Sequence, residues 1–506
     1  MGKCLLCAKE MIIMAKKGAA PPFDFSVLEK KTELYPASVN RFGDDWVFMA
    51  RDAEQDWLFA SGEARRGFVG AAHKADAVSW VQAPLSGENA KALRDMFPFT
   101  SPAPVLKNDR TIGLGDRLGI ATPGHIMALE TYDAVPVLAQ QSLREITLTG
   151  RSFSSVLDAA SFGVFRAGYI KGFGADGDHL KTAAEVREAL DLGYTMITLD
   201  CSEHIRDGVD TMSDSEIAQT TKLPRELEEL YLDKSFVQDG VVGRMTIELL
   251  RRNYLKYGAA IDFARDIYNS LIAVYRGRVD FEISLDETVT PTRPDQHFFT
   301  ARELTRSGVV IDTLAPRFPG EFQKGVDYIG DVAEFETDLK RHAAIARHFG
   351  YKLSVHSGSD KFSVYDAIGR GTLDRFHLKT AGTSWLVAMQ LVAEKAPGLY
   401  RDIHRFALQN FDKAREYYHV TADLNKIPDI DTISDVELSE LFSQSDARQM
   451  IHITYGLILS TQAGNGSYLF RDALYALWRR YDSMYAEMLK THIWKHMSLL
   501  YREEVV

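Results

Sequence analysis

Short apolar runs alternate with segments of helical periodicity from about residue 115 onward. The runs have the length and composition of buried strands, and we predict eight of them. Their bounds are 117–122, 165–170, 194–200, 279–287, 308–314, 352–357, 374–380 and 451–460. In the intervening segment TAAEVREALDLG, Thr182 is the predicted helix N-cap and Gly193 the predicted helix end. Strands that alternate with helices pair in parallel, so the pattern predicts an α/β fold.

Eight strand–helix units fit a (β/α)8 TIM barrel, and a doubly wound open sheet is the alternative. The Gly-rich stretch GLGDRLG, residues 113–119, precedes the first predicted strand. A dinucleotide fingerprint instead follows a strand and opens a helix. The pattern therefore favours the barrel over a nicotinamide-binding fold.

The chain before this alternation has a different character. Residues 1–105 contain DDWVFMARD and DWLFASG, which predict short strands around turns, and then a Pro-containing connection. We therefore predict a small N-terminal subdomain over 1–105 and the barrel over 106–506. Two charged, helix-prone stretches, about 205–257 and 402–446, are predicted insertions that serve as lids, oligomer contacts or surface decoration. The amphipathic C-terminal helix either covers the barrel or contacts a second copy in a homo-oligomer.

Composition narrows the class of protein. The 506 residues are 45% hydrophobic and 25% charged, with a net charge of −11, which is typical of a soluble globular protein and disfavours a nucleic-acid partner. No apolar run approaches the roughly 18 residues of a membrane span, and no secretory signal is recognisable. We expect a cytoplasmic protein with no membrane partner. The C-x-x-C of Cys4 and Cys7 lacks the second pair of a zinc site, so we expect a loose N-terminus there.

Candidate chemistry lies at the predicted strand ends, where barrel enzymes carry their active sites. The histidines His179, His356 and His377 fall at or near such ends, and imidazole together with carboxylates suits a divalent ion such as Zn, Mn, Ni or Co. The carboxylates beside them are Asp178, Asp200 and Glu282. We predict the three histidines as metal ligands, the alternative being that each caps a loop or hydrogen-bonds in the core. The stretch GADGDHLKT is then a loop at the barrel mouth.

Cationic side chains accompany these groups. Arg317, Lys361 and Lys379 lie on or just after predicted strands and are candidates to bind an anionic substrate, as is His125 after the first predicted strand. Each is equally compatible with an ion pair to a neighbouring acid. The expected partner is a small molecule that carries a carboxylate or a phosphate.

Four strings of the chain resemble a known family. They are GYIKGFGADGDHLKT, GYTMITLDCSEHI, SVHSGSDKFSVY and RFHLKTAGTSW, and they resemble the tagaturonate/fructuronate epimerase family over most of the chain. The resemblance implies a metal-dependent isomerase of hexuronate catabolism that inverts the carbon numbered four from the ketose end, or three from the carboxylate end. It also implies possible action on fructose and tagatose.

The inverted carbon is β to the ketone, so simple proton abstraction is difficult. Retro-aldol cleavage, rotation of the aldehyde and re-addition avoid this difficulty, with a metal as Lewis acid. Asp178, Asp200 and Glu282 are the acid/base candidates for the hydroxyl proton. A metal-dependent sugar isomerase or an aldolase on the same barrel is the alternative, followed by a non-catalytic sugar-acid sensor.

Overall fold

Two units make up the part of the chain that the computed structural model describes, which is residues 32–503 except 76–77, 233, 239–240 and 381. The described residues of the first unit fall within Met1–Ser101 and Leu157–Gly172, and those of the second fall within Pro102–Val156 and Phe173–Val506. The predicted role of Cys4 and Cys7 falls outside the described residues.

The first unit is built on a six-stranded antiparallel sheet. Its strands are β1 (Glu33–Leu34), β2 (Asn40–Phe42), β3 (Asp45–Arg51), β4 (Asp56–Ser61), β5 (Ala71–Ala75) and β6 (Val78–Pro84), followed by helix α1 (Gly87–Met96). Side chains alternate between the two faces of β3. Val47 and Met49 pack in one apolar cluster with Phe165, and Phe48 packs in a second cluster with Trp80.

Eight parallel strands of the second unit close into a barrel in chain order. They are β7 (Arg110–Leu114), β8 (Val135–Ser142), β9 (Gly174–Leu180), β10 (Met196–Asp200), β13 (Asp280–Leu285), β14 (Thr313–Pro316), β15 (Lys352–Val355) and β16 (Phe376–Thr380), with the hairpin β11 (Ser235–Gln238) and β12 (Val241–Arg244) outside the barrel. The predicted (β/α)8 architecture, including a separate N-terminal sheet, is confirmed.

Helices follow the barrel strands along the chain. Up to the hairpin they are α2 (Thr122–Leu129), α3 (Leu143–Thr149), α4 (Phe153–Ala167), α5 (Ala183–Leu192), α6 (Asp214–Thr220) and α7 (Arg225–Tyr231). The next are α8 (Ile247–Ile267), α9 (Pro294–Arg306), α10 (Val332–Phe349), α11 (Tyr365–Gly371) and α12 (Thr383–Lys395). The last are α13 (Pro397–Gln409), α14 (Phe411–Arg415), α15 (Ser445–Ile453), α16 (Tyr455–Ser460), α17 (Arg471–Arg480) and α18 (Asp482–Leu500). Among the helices of the described residues, none combines the length and the apolar character needed to cross a bilayer.

Three of the eight predicted strands were wrong. Residues 117–122 form a turn, because the Asp116 carboxylate accepts hydrogen bonds from the backbone amides of Leu118, Gly119 and Ala121. The stretch 165–170 contains the end of α4, which stops before Gly168 at φ 64°. The run 451–460 is helical and buried, and periodicity does not separate a short buried helix from a buried strand.

The structure forms two barrel strands that the sequence pattern did not predict. β8, residues 135–142, was not predicted. β9 is the stretch GADGDHL, which we had expected to be a loop because of its charged residues. It is a strand because the barrel interior supplies partners for its carboxylates. Buried Asp176 accepts hydrogen bonds from Thr198 Oγ1 at 2.9 Å and Lys379 Nζ at 2.7 Å.

Candidate active site at the carboxyl ends of the barrel strands

A cavity of about 390 Å³ lies at the carboxyl ends of the barrel strands. The side chains that line it come from the ends of several strands, as in other barrels of this type. They include Gln140 of β8, His179 of β9, Asp200 of β10, Asp286 after β13, His356 after β15 and Lys379 of β16.

A bulge in β9 brings two neighbouring side chains to this cavity. Gly177 pairs with Ile197 and Leu180 pairs with Leu199, so β9 has one more residue than β10 between these points. In a regular strand, Asp178 and His179 would point to opposite faces. The extra residue and the φ of 55° at His179 change that direction, and both residues line the cavity.

Lys379 lies at the centre of a buried charge network. Its Nζ is 2.7 Å from Asp176, 2.7 Å from Asp178 and 2.8 Å from Glu282. Burial alone would lower the pKa of Lys379, but the three carboxylates outweigh burial and hold the pKa well above its usual value. Burial conversely raises the pKa of Asp176, although Lys379 opposes this. The positive charge of Lys379 is therefore already compensated by carboxylates of the protein itself.

Asp286 lies between two histidines. Its Oδ1 is 3.6 Å from His179 Nε2 and 3.1 Å from His356 Nδ1. The other nitrogen of each ring bonds a carboxylate: His179 Nδ1 to Asp178 at 2.9 Å, and His356 Nε2 to Glu282 at 2.7 Å. Burial lowers a histidine pKa, but these acids raise the pKa of both rings, most strongly for His179.

This cluster has the chemistry of a divalent-cation site. The ligand atoms of His179, Asp286 and His356 lie within 4.8 Å of one another. Ligand atoms about 2.1 Å from a tetrahedral ion are roughly 3.4 Å apart, and the two measured separations of 3.1 and 3.6 Å bracket that value. His356 Nδ1 is buried, and the group that it faces is the Asp286 carboxylate at 3.1 Å. Carboxylates on the opposite ring nitrogens are the usual second support of metal-binding histidines.

The third histidine predicted as a ligand lies deeper in the barrel. His377 is two residues before Lys379 on β16, is fully buried and bonds Thr111 Oγ1 at 2.9 Å. Burial lowers the pKa of His377 to about 3, so its ring is neutral. The cluster around Asp286 does not include it within the described part of the chain.

The three predicted acid/base residues lie in different surroundings. Asp178 lines the cavity and accepts hydrogen bonds from His179 and Lys379. Asp200 also lines the cavity, and its Oδ2 is buried without a hydrogen-bond partner among the described residues. Glu282 is fully buried, with Oε1 bonded to His356 and Oε2 accepting from Thr313 at 2.6 Å. Glu282 thus orients other groups.

The predicted substrate-binding residues are not gathered at one place. Lys361 is buried, and its Nζ donates to the backbone carbonyls of Gln323, Val326 and Ser359 at 2.7–2.9 Å. These three bonds use all its N–H donors.

His125 and Arg317 lie elsewhere. His125 Nε2 lies 2.9 Å from Ser384 Oγ, and burial lowers the pKa of its ring to about 4. Arg317 lines an adjoining cavity of about 450 Å³, which also contacts Asp286 and His356.

Asp360, His492 and His496 form a second group of possible metal ligands, but their polar atoms already make hydrogen bonds within the protein. The carboxylate of Asp360 bonds Arg448 at 2.7 Å and His492 at 2.7 Å. His496 Nε2 accepts from the Asp360 backbone amide at 3.2 Å, which occupies its lone pair. The group therefore forms a structural network between the loop after β15 and the C-terminal helices.

Comparison with known proteins identifies the family. The family model of UxaE, tagaturonate epimerase, matches residues 35–500. The chain belongs to this family.

Relatives of the tagaturonate epimerase family agree over nearly the whole chain. A curated tagaturonate/fructuronate epimerase from Thermotoga maritima is 38% identical over 474 residues, which is 92% of this chain and 97% of the relative. The native crystal structure of fructuronate-tagaturonate epimerase UxaE from Cohnella laeviribosi has a TM-score of 0.91 and 45% identity over 98% of this chain and 99% of its own. A one-glycerol complex of the same enzyme has a TM-score of 0.90 and 47% identity over 93% and 96% of the two chains. This chain is thus an epimerase by family.

Sequence reasoning missed some residues of this epimerase site. Asp286 lies within the predicted strand VDFEISLDE, residues 279–287, but the choice among the acids of that strand needed the structure. Gln140, Arg144 and Lys324 also line the cavity. No local pattern distinguishes them, because Gln140 lies on the missed strand β8 and Lys324 lies in a loop.

Proposed function

We propose that this protein interconverts tagaturonate and fructuronate, with a divalent metal ion held by His179, Asp286 and His356. The observation that carries the proposal is this cluster, with its supporting carboxylates, inside the barrel cavity of a tagaturonate epimerase family member. A bound ion of the Zn, Mn, Ni or Co type supplies Lewis acidity for the ketone of the substrate. A small-molecule sugar acid as the partner and a cytoplasmic location belong to the same proposal.

The chemistry proceeds by breaking and re-forming one carbon–carbon bond. In ketose numbering, a base removes the proton of the C4 hydroxyl, and the C3–C4 bond breaks as C4 becomes an aldehyde. The electron pair of that bond is delocalised toward the ketone. The aldehyde turns about C4–C5, presents its other face to C3, and the bond and the O–H re-form. No atom is gained or lost, and C4 is inverted.

We assign Asp200 as the base. Its Oδ2 is buried at the cavity, 3.5 Å from Lys181 Nζ, and its Oδ1 is held by the Ser202 amide at 2.8 Å. Asp178, held by Lys379 at 2.7 Å, is the second acid/base candidate, for the hydroxyl of the inverted product. Glu282 fixes the positions of the His356 and Lys379 side chains. The reacting carbons are remote from the carboxylate, so tagatose and fructose are expected as weaker substrates.

The first test is turnover by chelator-treated protein. Fructuronate is expected from tagaturonate only after a divalent metal is returned, and both His356→Ala and Asp286→Ala should lose bound metal and at least about 100-fold in rate. His348→Ala changes an exposed histidine of α10 and serves as the matched control. Epimerisation by metal-free protein would contradict the metal role.

Product analysis separates this function from the alternatives. Release of fragments would indicate an aldolase, and a moved carbonyl would indicate a sugar isomerase. Binding of the sugar acid without any turnover would indicate a sensor.

A further inference from the structure

The cations that line the catalytic cavity differ in what they already bind. Lys379 contacts three carboxylates, and Lys181 lies 3.4–3.9 Å from three others. Arg144 lies 3.4 Å from Glu287. Lys324 is the exception: its ammonium group makes no ion pair or hydrogen bond with any described residue.

The surroundings of Lys324 leave its charge uncompensated. Two acids act on Lys324 across the cavity, and each is already bound by another cation. Glu145 Oε1 is held by Arg117 Nε at 2.8 Å and Nη2 at 2.6 Å, and Asp178 accepts from Lys379 at 2.7 Å. Burial lowers the pKa of Lys324, and the effect of Glu145 does not reverse this. A half-buried ammonium of this kind is stabilised by an anion that enters the cavity.

The backbone around Lys324 is firmly held. Lys361 Nζ donates to the carbonyls of Gln323 and Val326, on either side of Lys324. The Lys324 carbonyl accepts from Gln449 Nε2 at 3.2 Å. The side chain therefore extends from a fixed base, which reduces the entropy lost when it binds a ligand.

We infer that Lys324 binds the carboxylate of the substrate and so sets the preference of this site for a sugar acid over a neutral ketohexose. The inference rests on the proposed function, since it assigns one group of the same substrate. It replaces the sequence-based choice of Lys361, whose three donors bind backbone carbonyls.

The test compares Lys324→Met, which keeps the length of the side chain and removes its charge, with Lys324→Arg. For Lys324→Met we expect the KM for fructuronate to rise about 10- to 100-fold, because a charged hydrogen bond is lost. The inhibition constant of tagatose against fructuronate should change less than about threefold, since tagatose lacks the carboxylate. Lys324→Arg should recover most of the fructuronate KM, and Lys222→Met, an exposed lysine outside the cavity, should match the wild type.

Three results would overturn the inference: an unchanged KM in Lys324→Met, an equal loss for fructuronate and tagatose, or no recovery in Lys324→Arg. Calorimetric titration of both variants with fructuronate measures binding directly, whether or not the protein turns the sugar acid over. Loss of carboxylate affinity in Lys324→Met therefore tests Lys324 even where the wild type fails to epimerise, which is the separate failure of the proposed function. Metal content is measured in each variant, so a collapsed site is distinguished from a lost contact.

Discussion

His404 on α13 illustrates how a single buried residue couples stability to pH. Its ring is fully buried, and neither nitrogen has a hydrogen-bond partner among the described residues. Burial lowers the pKa of His404 to about 4. Between pH 6.5 and 4, the unfolded chain therefore binds a proton at this residue that the folded protein does not bind, so stability falls as the pH falls.

We expect His404→Leu to weaken this acid sensitivity. At pH 5 the wild type should have lost about 2 kcal/mol of unfolding free energy through this residue relative to pH 7, and the variant should not show that part of the loss. Denaturant midpoints of both proteins at pH 7 and pH 5 measure the difference. His348→Leu, at an exposed position, is the matched control, and equal slopes for His404→Leu and wild type would contradict the prediction.

At the scale of single elements, α5 shows which signals in the sequence are local. Thr182 Oγ1 accepts from the Glu185 amide at 3.3 Å, and Glu185 Oε2 accepts from the Thr182 amide at 3.0 Å. This capping box occurs where the sequence predicts the helix start, and Gly193 at φ 92° ends the helix as predicted. Such signals are readable because both partners lie within one helical turn.

Removal of this cap should loosen the start of α5. Thr182→Ala is expected to cost about 1 kcal/mol, and the amides of the first turn should exchange hydrogen roughly fivefold faster. Thr182→Ser keeps the accepting oxygen and should exchange at the wild-type rate. Unchanged exchange in Thr182→Ala would mean that packing alone holds the helix start.

At the scale of the whole molecule, metal binding is expected to stabilise the folded protein. A ligand at 100 times its dissociation constant adds about 2.7 kcal/mol to the unfolding free energy, so the melting temperature of chelator-treated protein should rise by several degrees when the proposed metal is returned. His356→Ala removes a proposed ligand and should show no such rise. An equal rise in His356→Ala would place the bound ion elsewhere.

The residues that form the candidate site come from segments that are far apart in the sequence. Lys379 and Asp176 are 203 residues apart in sequence, and His356 and Glu282 are 74 apart. Strand-end reasoning predicted that His179, His356, Asp178 and Asp200 lie together, because parallel strands present their carboxyl ends at one edge, and all four line the cavity. The same reasoning did not predict how deep in the barrel each side chain lies, so His377 was grouped with residues that lie nearer the cavity.

The alternation of strands and helices, the α/β class and the family are readable from the amino-acid sequence, because periodicity, caps and long matching strings are local properties. That the charged stretch Gly174–Leu180 is a strand depends on the folded chain, since burial of its carboxylates is stabilised by Lys379 from a distant segment. The same holds for Lys324 and Lys361: both are lysines in polar loops, but Lys361 donates to three backbone carbonyls and Lys324 lines the cavity. The burial and the hydrogen-bond partners of a side chain depend on segments that are distant in the sequence, so no local pattern encodes them.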